Sequence, residues 1–370
     1  MVGCLKVARI RAGRLWRRAW ELATSDLAAD ITVRGAGIFG LSVAWACLAH
    51  GARVQVIDPA GVGAGASGGI VGALAPHTPE NWNEKKGFQF ESLLAADGFW
   101  RGVEAASGIS SGYGRTGRLQ PIEDARALAL ACARAETSQE LWRGAATWRV
   151  IPAPEGWGPR SPTGQVIEDT LTARLHPRRA CESLSAAIRA RGGTVLETGK
   201  DKGAVVWATG WCGLKDLSAA LNCPVGTGVK GQAVLLRHAA PLGAPQLFCD
   251  GLHIVPHADG TVAVGSTSER EFDDPTTTDA QAEALVERAV NALPILHGAE
   301  VIQRWAGVRP RARSRAPMLG PWPGRAGHFI ANGGFKIGFG MAPAVARVMA
   351  DLLCEGRDTI PEPFRVEASL

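Results

Sequence analysis

A glycine turn between two predicted strands constrains the fold of this chain more than any other feature. Residues 30–34 form a short β-rich run, the turn contains Gly35, Gly37 and Gly40, and residues 41–50 have the apolar spacing of a helix. A second alternating run ends on Asp58, 18 residues after the last glycine of the turn. This order predicts a βαβ unit of the kind that binds a dinucleotide.

Each glycine of the turn has its own physical task. Gly35 makes the tight turn, Gly37 lets the backbone approach a pyrophosphate at the helix N-terminus, and Gly40 lets the helix pack closely on the strand. Asp58 is predicted to accept hydrogen bonds from the ribose hydroxyls of adenosine, and its charge repels a 2′-phosphate. The candidate dinucleotide-binding residues of this unit are Gly35, Gly37, Ile38, Phe39, Gly40 and Asp58.

The run of small residues that follows, residues 61–76, is too open for a helix and too extended for a simple turn. Its sequence, Gly-Val-Gly-Ala-Gly-Ala-Ser-Gly-Gly-Ile-Val-Gly-Ala-Leu-Ala-Pro, resembles the glycine oxidase and sarcosine oxidase branch of the D-amino-acid-oxidase-like FAD family. In that family the stretch lines the pyrophosphate and the ring of the flavin. The resemblance implies FAD, held in part by Ala66, Ser67, Gly68, Ala73 and Leu74.

A later segment carries a second cofactor signature. The buried-type strand at residues 204–210 ends in Ala208-Thr209-Gly210, which resembles the signature found in flavoproteins with two dinucleotide domains. The cysteine that binds flavin covalently in sarcosine oxidases has no counterpart between Trp305 and Leu319. The resemblance therefore implies noncovalent FAD.

Two segments near the C-terminus resemble the substrate site of the same family. Residues 305–310, Trp-Ala-Gly-Val-Arg-Pro, are similar to the W-x-G-x-R-P of glycine oxidases, whose arginine binds the substrate carboxylate. Residues 332–343 are similar to G-H-F-R-N-G of glycine oxidases and closer to G-H-G-F-K of monomeric sarcosine oxidases. The resemblance implies that Arg309 and Lys336 hold a carboxylate. It also implies that a helix at 344–353 points its N-terminus at the flavin, with cofactor contacts from Gly334, Phe335, Ile337 and Gly338.

His253 is the third candidate catalytic residue, after Arg309 and Lys336. The resemblance places it where glycine oxidases have a tyrosine near the substrate, and Tyr113 is the only tyrosine of this chain. We expect His253 to hydrogen-bond the substrate or to titrate near pH 6 to 7, or else to be an ordinary strand histidine. His77, just after the small-residue run, is a weaker candidate.

The rest of the chain alternates between helical and strand patterns. Helices are predicted at 88–104, 125–142, 178–191 and 279–293, and strands at 194–197, 233–237, 248–255 and 261–265. An Asp259-Gly260 hairpin turn precedes the last of these strands. The loop at 199–203 is so short that a usual strand or hairpin is expected to be trimmed there.

These patterns predict an α/β protein whose two domains share one cleft. A Rossmann-like, glutathione-reductase-like FAD-binding domain is predicted at 30–80, 170–224 and 305–362. An interleaved α+β substrate domain on a mixed or antiparallel sheet is predicted at 81–169 and 225–304. A basic extension at 1–29 precedes both domains.

The resemblance implies a FAD-dependent oxidoreductase that oxidises the C–N bond of a small amino acid or N-substituted glycine. Hydride would pass to flavin N5, the imine would hydrolyse to oxo acid and amine, and the electrons would go to O₂ or another acceptor. Two alternatives stay open. One is a flavin enzyme acting on a glycine-like group of a larger substrate, such as a modified tRNA wobble uridine, and the other is one subunit of a hetero-oligomeric amino-acid dehydrogenase.

Composition narrows the partners and the compartment. The net charge is +5, but residues 1–20 hold six basic and no acidic residues, so the remaining 350 residues carry −1. We therefore expect no DNA partner. The basic N-terminal segment interleaves apolar residues with its arginines, so it could form an amphipathic helix on a membrane surface or be an organelle-targeting segment, but an upstream start codon or a disordered lead-in is the favoured interpretation. Any membrane contact would be through this segment alone. The eight cysteines lack metal-site spacing, which favours reduced thiols and a cytoplasmic location. Oligomers are compatible with the sequence.

Overall fold

The computed structural model describes residues 29–370, and the predicted basic segment, with Cys4, lies outside the described residues apart from Ala29. The helices are α1 (Ile38–Ala49), α2 (Glu84–Ser107), α3 (Ala125–Leu141), α4 (Pro177–Ala190), α5 (Gly210–Ala220), α6 (Ala280–Ala292) and α7 (Gly338–Glu355). The strands are β1 (Ile31–Arg34), β2 (Val54–Ile57), β3 (Ala73–Leu74), β4 (Arg118–Pro121), β5 (Trp148–Pro152), β6 (Gln165–Asp169), β7 (Ala173–Arg174), β8 (Thr194–Leu196), β9 (Ala204–Trp207), β10 (Gly226–Arg237), β11 (Gln246–Cys249), β12 (Leu252–Pro256), β13 (Thr261–Gly265), β14 (Glu300–Ala312), β15 (Met318–Pro321) and β16 (His328–Asn332).

The smaller of the two main sheets contains the predicted βαβ unit. Its six strands run in the order β15-β16-β9-β1-β2-β8, and all of them are parallel except β15. Ile31 and Val33 of the central strand are fully buried. Helix α1 is apolar on nearly all sides because it packs against β1, β2, α4 and α7. The Rossmann-like part of the predicted fold is confirmed.

A short polar loop at residues 199–203 crosses the smaller sheet. The buried side chains of Thr32 and Gln55 lie on β1 and β2, and the Gln55 amide nitrogen donates to Thr32 Oγ1 at 2.8 Å and to the Lys200 carbonyl at 2.7 Å. Thr32 Oγ1 in turn donates to the Lys202 carbonyl at 2.8 Å. Within the described residues no strand separates β8 from β9, as the shortness of this loop predicts. Polar side chains on the sheet thus satisfy the loop backbone directly.

The larger sheet has eight strands in the order β14-β10-β13-β12-β11-β4-β6-β5, antiparallel except between β11 and β4. The prediction of a single strand at 248–255 is wrong. A turn at Asp250 (φ 47°) and Gly251 (φ 73°) divides it into β11 and β12, because a left-handed backbone at both positions makes a tight hairpin. The helix predicted at 344–353 begins six residues earlier, at Gly338.

The chain visits the two main sheets alternately. Strands β1 and β2 lie in the smaller sheet, β4 to β6 in the larger, β8 and β9 in the smaller, β10 to β14 in the larger, and β15 and β16 in the smaller. This interleaving agrees with the predicted fold class. The exact domain boundaries stay a prediction, and the one placed at residue 305 falls inside β14. None of the helices within residues 29–370 is long and apolar enough to cross a membrane.

Candidate active-site cleft

A cleft of about 860 Å³ lies where the two main sheets meet. One end is lined by the glycine turn after β1, the end of β2 and the end of β9, and the other end by β10, the β11–β12 hairpin and β14. The segment between β16 and α7 contributes to its wall as well. Because separate parts of the chain line this single cleft, it is the natural candidate for a ligand site.

The three glycines of the turn are required for different reasons. A β-carbon on Gly35 would lie 2.4 Å from the Ala208 carbonyl oxygen, and one on Gly40 would lie 2.0 Å from the Gly35 carbonyl oxygen, so close backbone packing excludes side chains there. A β-carbon on Gly37 would meet only the Ser67 side chain, with Oγ at 3.1 Å and Cβ at 3.9 Å, and Gly37 lines the cleft. Its missing side chain therefore leaves room for the Ser67 hydroxyl and for a ligand in the cleft.

The start of α1 is held by two side chains that come from elsewhere in the chain. Ile38 N donates to Ser67 Oγ at 3.0 Å, and Ala36 N donates to Asp58 Oδ2 at 2.8 Å. Asp58 Oδ1 accepts from Ala60 N at 3.0 Å, so this carboxylate ties the end of β2 to the glycine turn. Each carboxylate oxygen keeps further acceptor capacity toward the cleft.

These residues fit the predicted dinucleotide. The helix N-terminus favours negative charge, and the space beside Gly37 gives a pyrophosphate access to it. No acidic residue of α1 occupies its first turn. The predicted role of Asp58 toward a ribose stays a prediction, and the structure adds a second task for it in fixing the turn.

Most of the predicted cofactor residues come together in this cleft. The residues that line it are Gly35, Gly37, Ile38, Phe39, Asp58, Ala66, Ser67, Ala73, Ala208, Thr209, Gly210, Gly334, Phe335 and Gly338. The other four, Gly40, Gly68, Leu74 and Ile337, do not line it. Gly40 and Gly68 are needed for backbone packing, Leu74 lies in the core, and Ile337 caps the start of α7.

Arg309 is a buried cation that makes no direct ion pair with an acidic side chain of the described residues. Its side chain projects from β14, and the residue is only 9% exposed. Nη2 donates to Ser266 Oγ at 2.5 Å, and Nη1 donates to the Thr267 carbonyl at 3.3 Å. Among the described residues no carboxylate lies within ion-pair distance of it. Burial lowers the pKa of Arg309 to about 10, against an opposing effect of Glu269, so the guanidinium stays charged at neutral pH.

Lys336 brings a second positive charge to the same end of the cleft. It follows Phe335, whose backbone is left-handed (φ 43°), and its ammonium lies 5.7 Å from the Phe335 ring centroid. Burial, and then the charge of Arg309, lower the pKa of Lys336 below its usual value. The two predicted carboxylate-binding residues are therefore close enough to repel each other, and a shared anion relieves that repulsion.

His253 lines the cleft beside these cations, but it does not titrate where the sequence suggests. Burial, followed by the charges of Arg118, Lys336 and Arg309, lowers its pKa to about 3. The imidazole is therefore neutral at physiological pH, and the expectation of titration near pH 6 to 7 is wrong. Its Nδ1 is buried without a hydrogen-bond partner among the described residues. The ring centroid lies 4.6 Å from that of Phe248, with the rings tilted by 45°.

His77 is not part of this arrangement. It does not line the cleft, and its backbone N and its Nδ1 both contact Gln89 Oε1. The ordinary interpretation of this histidine, as a structural residue beside the small-residue run, is the one that its contacts favour.

The sequence pattern did not identify several residues at the end of the cleft that holds Arg309, which we call the substrate end because the predicted substrate residues lie there. Gly231 on β10 provides the space for Arg309, because a β-carbon there would lie 2.0 Å from Nη2. Gly307 does the same for the Trp305 ring, which a β-carbon would approach to 2.4 Å. A glycine inside a strand signals close approach, and Gly231 interrupts a β-rich run, so this signal was present in the sequence. Ser266 and Phe248 gave no comparable signal.

Comparisons with known proteins agree with this geometry. A family model described as FAD dependent oxidoreductase matches residues 30–352. A glycine oxidase from Pseudomonas putida is 30% identical, and the alignment covers 92% of this chain and 99% of the relative.

Two solved structures share the fold. The glycine oxidase from Geobacillus kaustophilus superposes with a TM-score of 0.79 at 21% identity, covering 92% of this chain and 99% of that one. The iminodiacetate oxidase from Chelativorans sp. BNC1 superposes with a TM-score of 0.76 at 21% identity, covering 90% of this chain and 98% of that one.

Proposed function

The chain belongs to the family of FAD-dependent oxidoreductases, and we propose that it oxidises the C–N bond of a small amino acid or an N-substituted glycine. The observation that carries the proposal is the Arg309 guanidinium, which is buried and charged at one end of the cleft and makes no ion pair with any acidic side chain of residues 29–370. A planar cation held in this way suits a carboxylate, which can accept two parallel hydrogen bonds from it. The glycine oxidase and iminodiacetate oxidase relatives support the same substrate class.

Residues at the other end of the cleft would hold the cofactor. Gly37 and the N-terminus of α1 would take the pyrophosphate, Asp58 would take the adenosine ribose, and the small-residue run would lie along the flavin. When bound, FAD supplies the hydride acceptor of the reaction. We propose that FAD is bound noncovalently. Cys212 is the one cysteine among the residues that line the described cleft, so a covalent bond between flavin and a cysteine there would have to form at this residue. Acid precipitation should release all of the flavin from the protein.

The substrate end positions the reactant and offers no acid–base group of the usual kind. Arg309 and Lys336 would bind the carboxylate, and the neutral His253 would face the rest of the substrate. Asp58 is the only carboxylate among the lining residues, and it lies at the dinucleotide end. Catalysis would then depend on orientation of a neutral amine rather than on proton removal by a carboxylate. The imine product would hydrolyse to oxo acid and amine, with O₂ or another acceptor taking the electrons.

An anaerobic titration tests the proposal. Glycine, sarcosine, iminodiacetate, proline and D-alanine are added separately to the flavin-loaded protein while the visible absorbance is followed. Bleaching by at least one of them is expected, and readmitted air distinguishes an oxidase, which recovers its colour, from a dehydrogenase. A yellow protein that none of these compounds bleaches would contradict the proposal.

A matched pair of variants tests whether the activity depends on the clamp, our name for the proposed carboxylate-binding pair of Arg309 and Lys336. Arg309→Met should abolish bleaching at substrate concentrations that saturate the wild type. Arg304→Met removes a cation from the same strand, but Arg304 is exposed and pairs with Glu283 at 2.6 Å, so this variant should bleach normally. Equal bleaching of both variants would show that Arg309 does not bind the substrate.

A further inference from the structure

A buried polar cluster lies behind Arg309, on the side away from the cleft. It consists of Lys230 and Gln232 on β10 together with Thr267 and Glu269, which follow β13. Lys230 is 5% exposed and Gln232 is fully buried, and the side chain of Glu269 is 12% exposed. Burying several charged and polar side chains together destabilises the fold unless each of them has a hydrogen-bond or ion-pair partner. The arrangement of this cluster therefore needs an explanation.

Glu269 is the centre of this cluster. Its backbone exchanges two hydrogen bonds with that of Lys230, both of 2.9 Å, and its carboxylate lies 3.8 Å from the Lys230 ammonium. The Gln232 amide donates to the same carboxylate at 3.2 and 3.3 Å. The Thr267 hydroxyl also donates to it. Contacts from three different side chains therefore hold this carboxylate in one place.

Thr267 connects the cluster to Arg309. Its hydroxyl accepts from Gln232 N at 2.7 Å, and its backbone N donates to the Gln232 carbonyl at 3.2 Å. The Thr267 carbonyl then accepts from Arg309 Nη1 at 3.3 Å. The chain of contacts thus runs from Glu269 through Thr267 to the guanidinium.

The absence of a direct ion pair between Glu269 and Arg309 is as important as the contacts that connect them. Glu269 raises the pKa of Arg309, although it makes no ion pair with it. A guanidinium has five N–H groups, and the protein uses two of them here, at Ser266 and Thr267. An acid in direct contact with Arg309 would occupy the N–H groups that a substrate carboxylate needs. Glu269 is separated from the guanidinium by Thr267, so it compensates the positive charge and leaves those N–H groups available.

We propose that Glu269 is a positioning residue for Arg309: it fixes the Thr267 carbonyl that holds the guanidinium, and it balances the buried charge without competing for the substrate. The inference rests on the proposed function, because it assumes that Arg309 binds a carboxylate. Glu269 would touch neither substrate nor cofactor, since it does not line the cleft.

The test compares Glu269→Gln with Glu271→Gln in the flavin-loaded protein. Glu271 is exposed in the same segment, so it gives a matched loss of charge. Acetate is the probe for the carboxylate site, acetamide is its uncharged isostere, and their dissociation constants are measured by calorimetry between pH 7 and 10.5. Steady-state kinetics with the substrate found by bleaching give kcat and KM.

Glu269→Gln should raise the acetate Kd and the KM about tenfold, an effect typical of residues that orient a binding group, with kcat much less affected. Acetamide binding should not change. Affinity for acetate should fall as the pH rises through the pKa of Arg309, and that fall should begin at a lower pH in Glu269→Gln than in Glu271→Gln. Burial and Arg309, and not Glu269, lower the pKa of Lys336, so the titration of Lys336 should be the same in both variants.

If Glu269→Gln fails to fold because Lys230 is left without an anion, the double variant Lys230→Met, Glu269→Gln removes both charges and should show the same loss of acetate affinity. Equal acetate Kd values and equal pH midpoints for the folded variant and Glu271→Gln would overturn the inference. Failure of Glu271→Gln itself to bind acetate would overturn the inference and the proposed function together.

Discussion

Replacing Gly231 by alanine is expected to displace the Arg309 guanidinium without disturbing the fold. The new β-carbon would lie 2.0 Å from Nη2, 2.2 Å from Nη1 and 2.3 Å from Cζ, all of them at the end of a flexible side chain. Ordinary contacts begin at 3.4 Å, so Nη2 has to move by about 1.4 Å. The hydrogen bonds to Ser266 and Thr267 cannot both survive a shift of this size.

The magnitude follows from the displacement. A misplacement of about 1 Å in a group that positions the substrate costs on the order of 100-fold in rate, or about 2.7 kcal/mol of transition-state stabilisation. The free energy of unfolding should change little, because alanine restricts the unfolded chain by about 0.4–1 kcal/mol relative to glycine and so offsets part of any native strain. The expected result is a folded protein with kcat/KM reduced about 100-fold.

The assay combines steady-state kinetics, the Kd for acetate and the midpoint of thermal unfolding. Gly102→Ala is the control, since Gly102 lies in α2 and a β-carbon there meets nothing within 4 Å. That variant should keep wild-type kinetics, with a slightly higher Tm because alanine is the better helix former. Wild-type KM and acetate affinity in a folded Gly231→Ala protein would refute the reasoning that this glycine makes room for the clamp.

Three further expectations concern the cofactor, the clamp and the histidine. Gly37→Ala should fold but purify without flavin, whereas Gly40→Ala should yield little folded protein because its β-carbon would lie 2.0 Å from a backbone oxygen; flavin content and circular dichroism distinguish the two. Arg309→Lys keeps a positive charge but loses the planar fork, so kcat/KM should fall at least about 100-fold while the Tm stays within a few degrees. His253→Gln should leave the shape of the kcat/KM profile between pH 5 and 8 unchanged, because a pKa of about 3 keeps His253 neutral throughout that range; loss of an ionisation near pH 6 would contradict this.

The βαβ unit could be predicted because its determinants are local. Gly35 and Gly40 are close in sequence to the strand and helix that they bring together, so their spacing already encodes the packing. The helix around residue 90 was also predictable, but its start was not. Asn83 caps it by accepting from Lys86 N at 3.1 Å, and this bond carries the helix four residues beyond the apolar pattern.

The substrate end was less predictable because its determinants come from different strands. Predicted as one continuous strand, residues 248–255 would point Phe248 and His253 to opposite faces, since successive side chains alternate. The turn at 250–251 reverses the chain and pairs the two residues directly, so their rings share one face of the sheet. Ser266 and Gly231 likewise contact Arg309 only because β10, β13 and β14 are neighbours in the larger sheet.

The charges at the substrate end also favour the form of the amine that can react. An amino acid in water carries an ammonium group, which cannot lose a hydride from its α-carbon as readily as a neutral amine can. In the proposed site Arg309 and Lys336 would attract the carboxylate and repel the ammonium, and no carboxylate lines this end of the described cleft to stabilise that cation. The neutral His253 adds no positive charge of its own, but its imidazole offers a polar neighbour that does not require the amine to be charged. Binding at this site should therefore lower the pKa of the substrate amine, so that the two cations proposed to bind the carboxylate would also favour release of the proton that blocks oxidation.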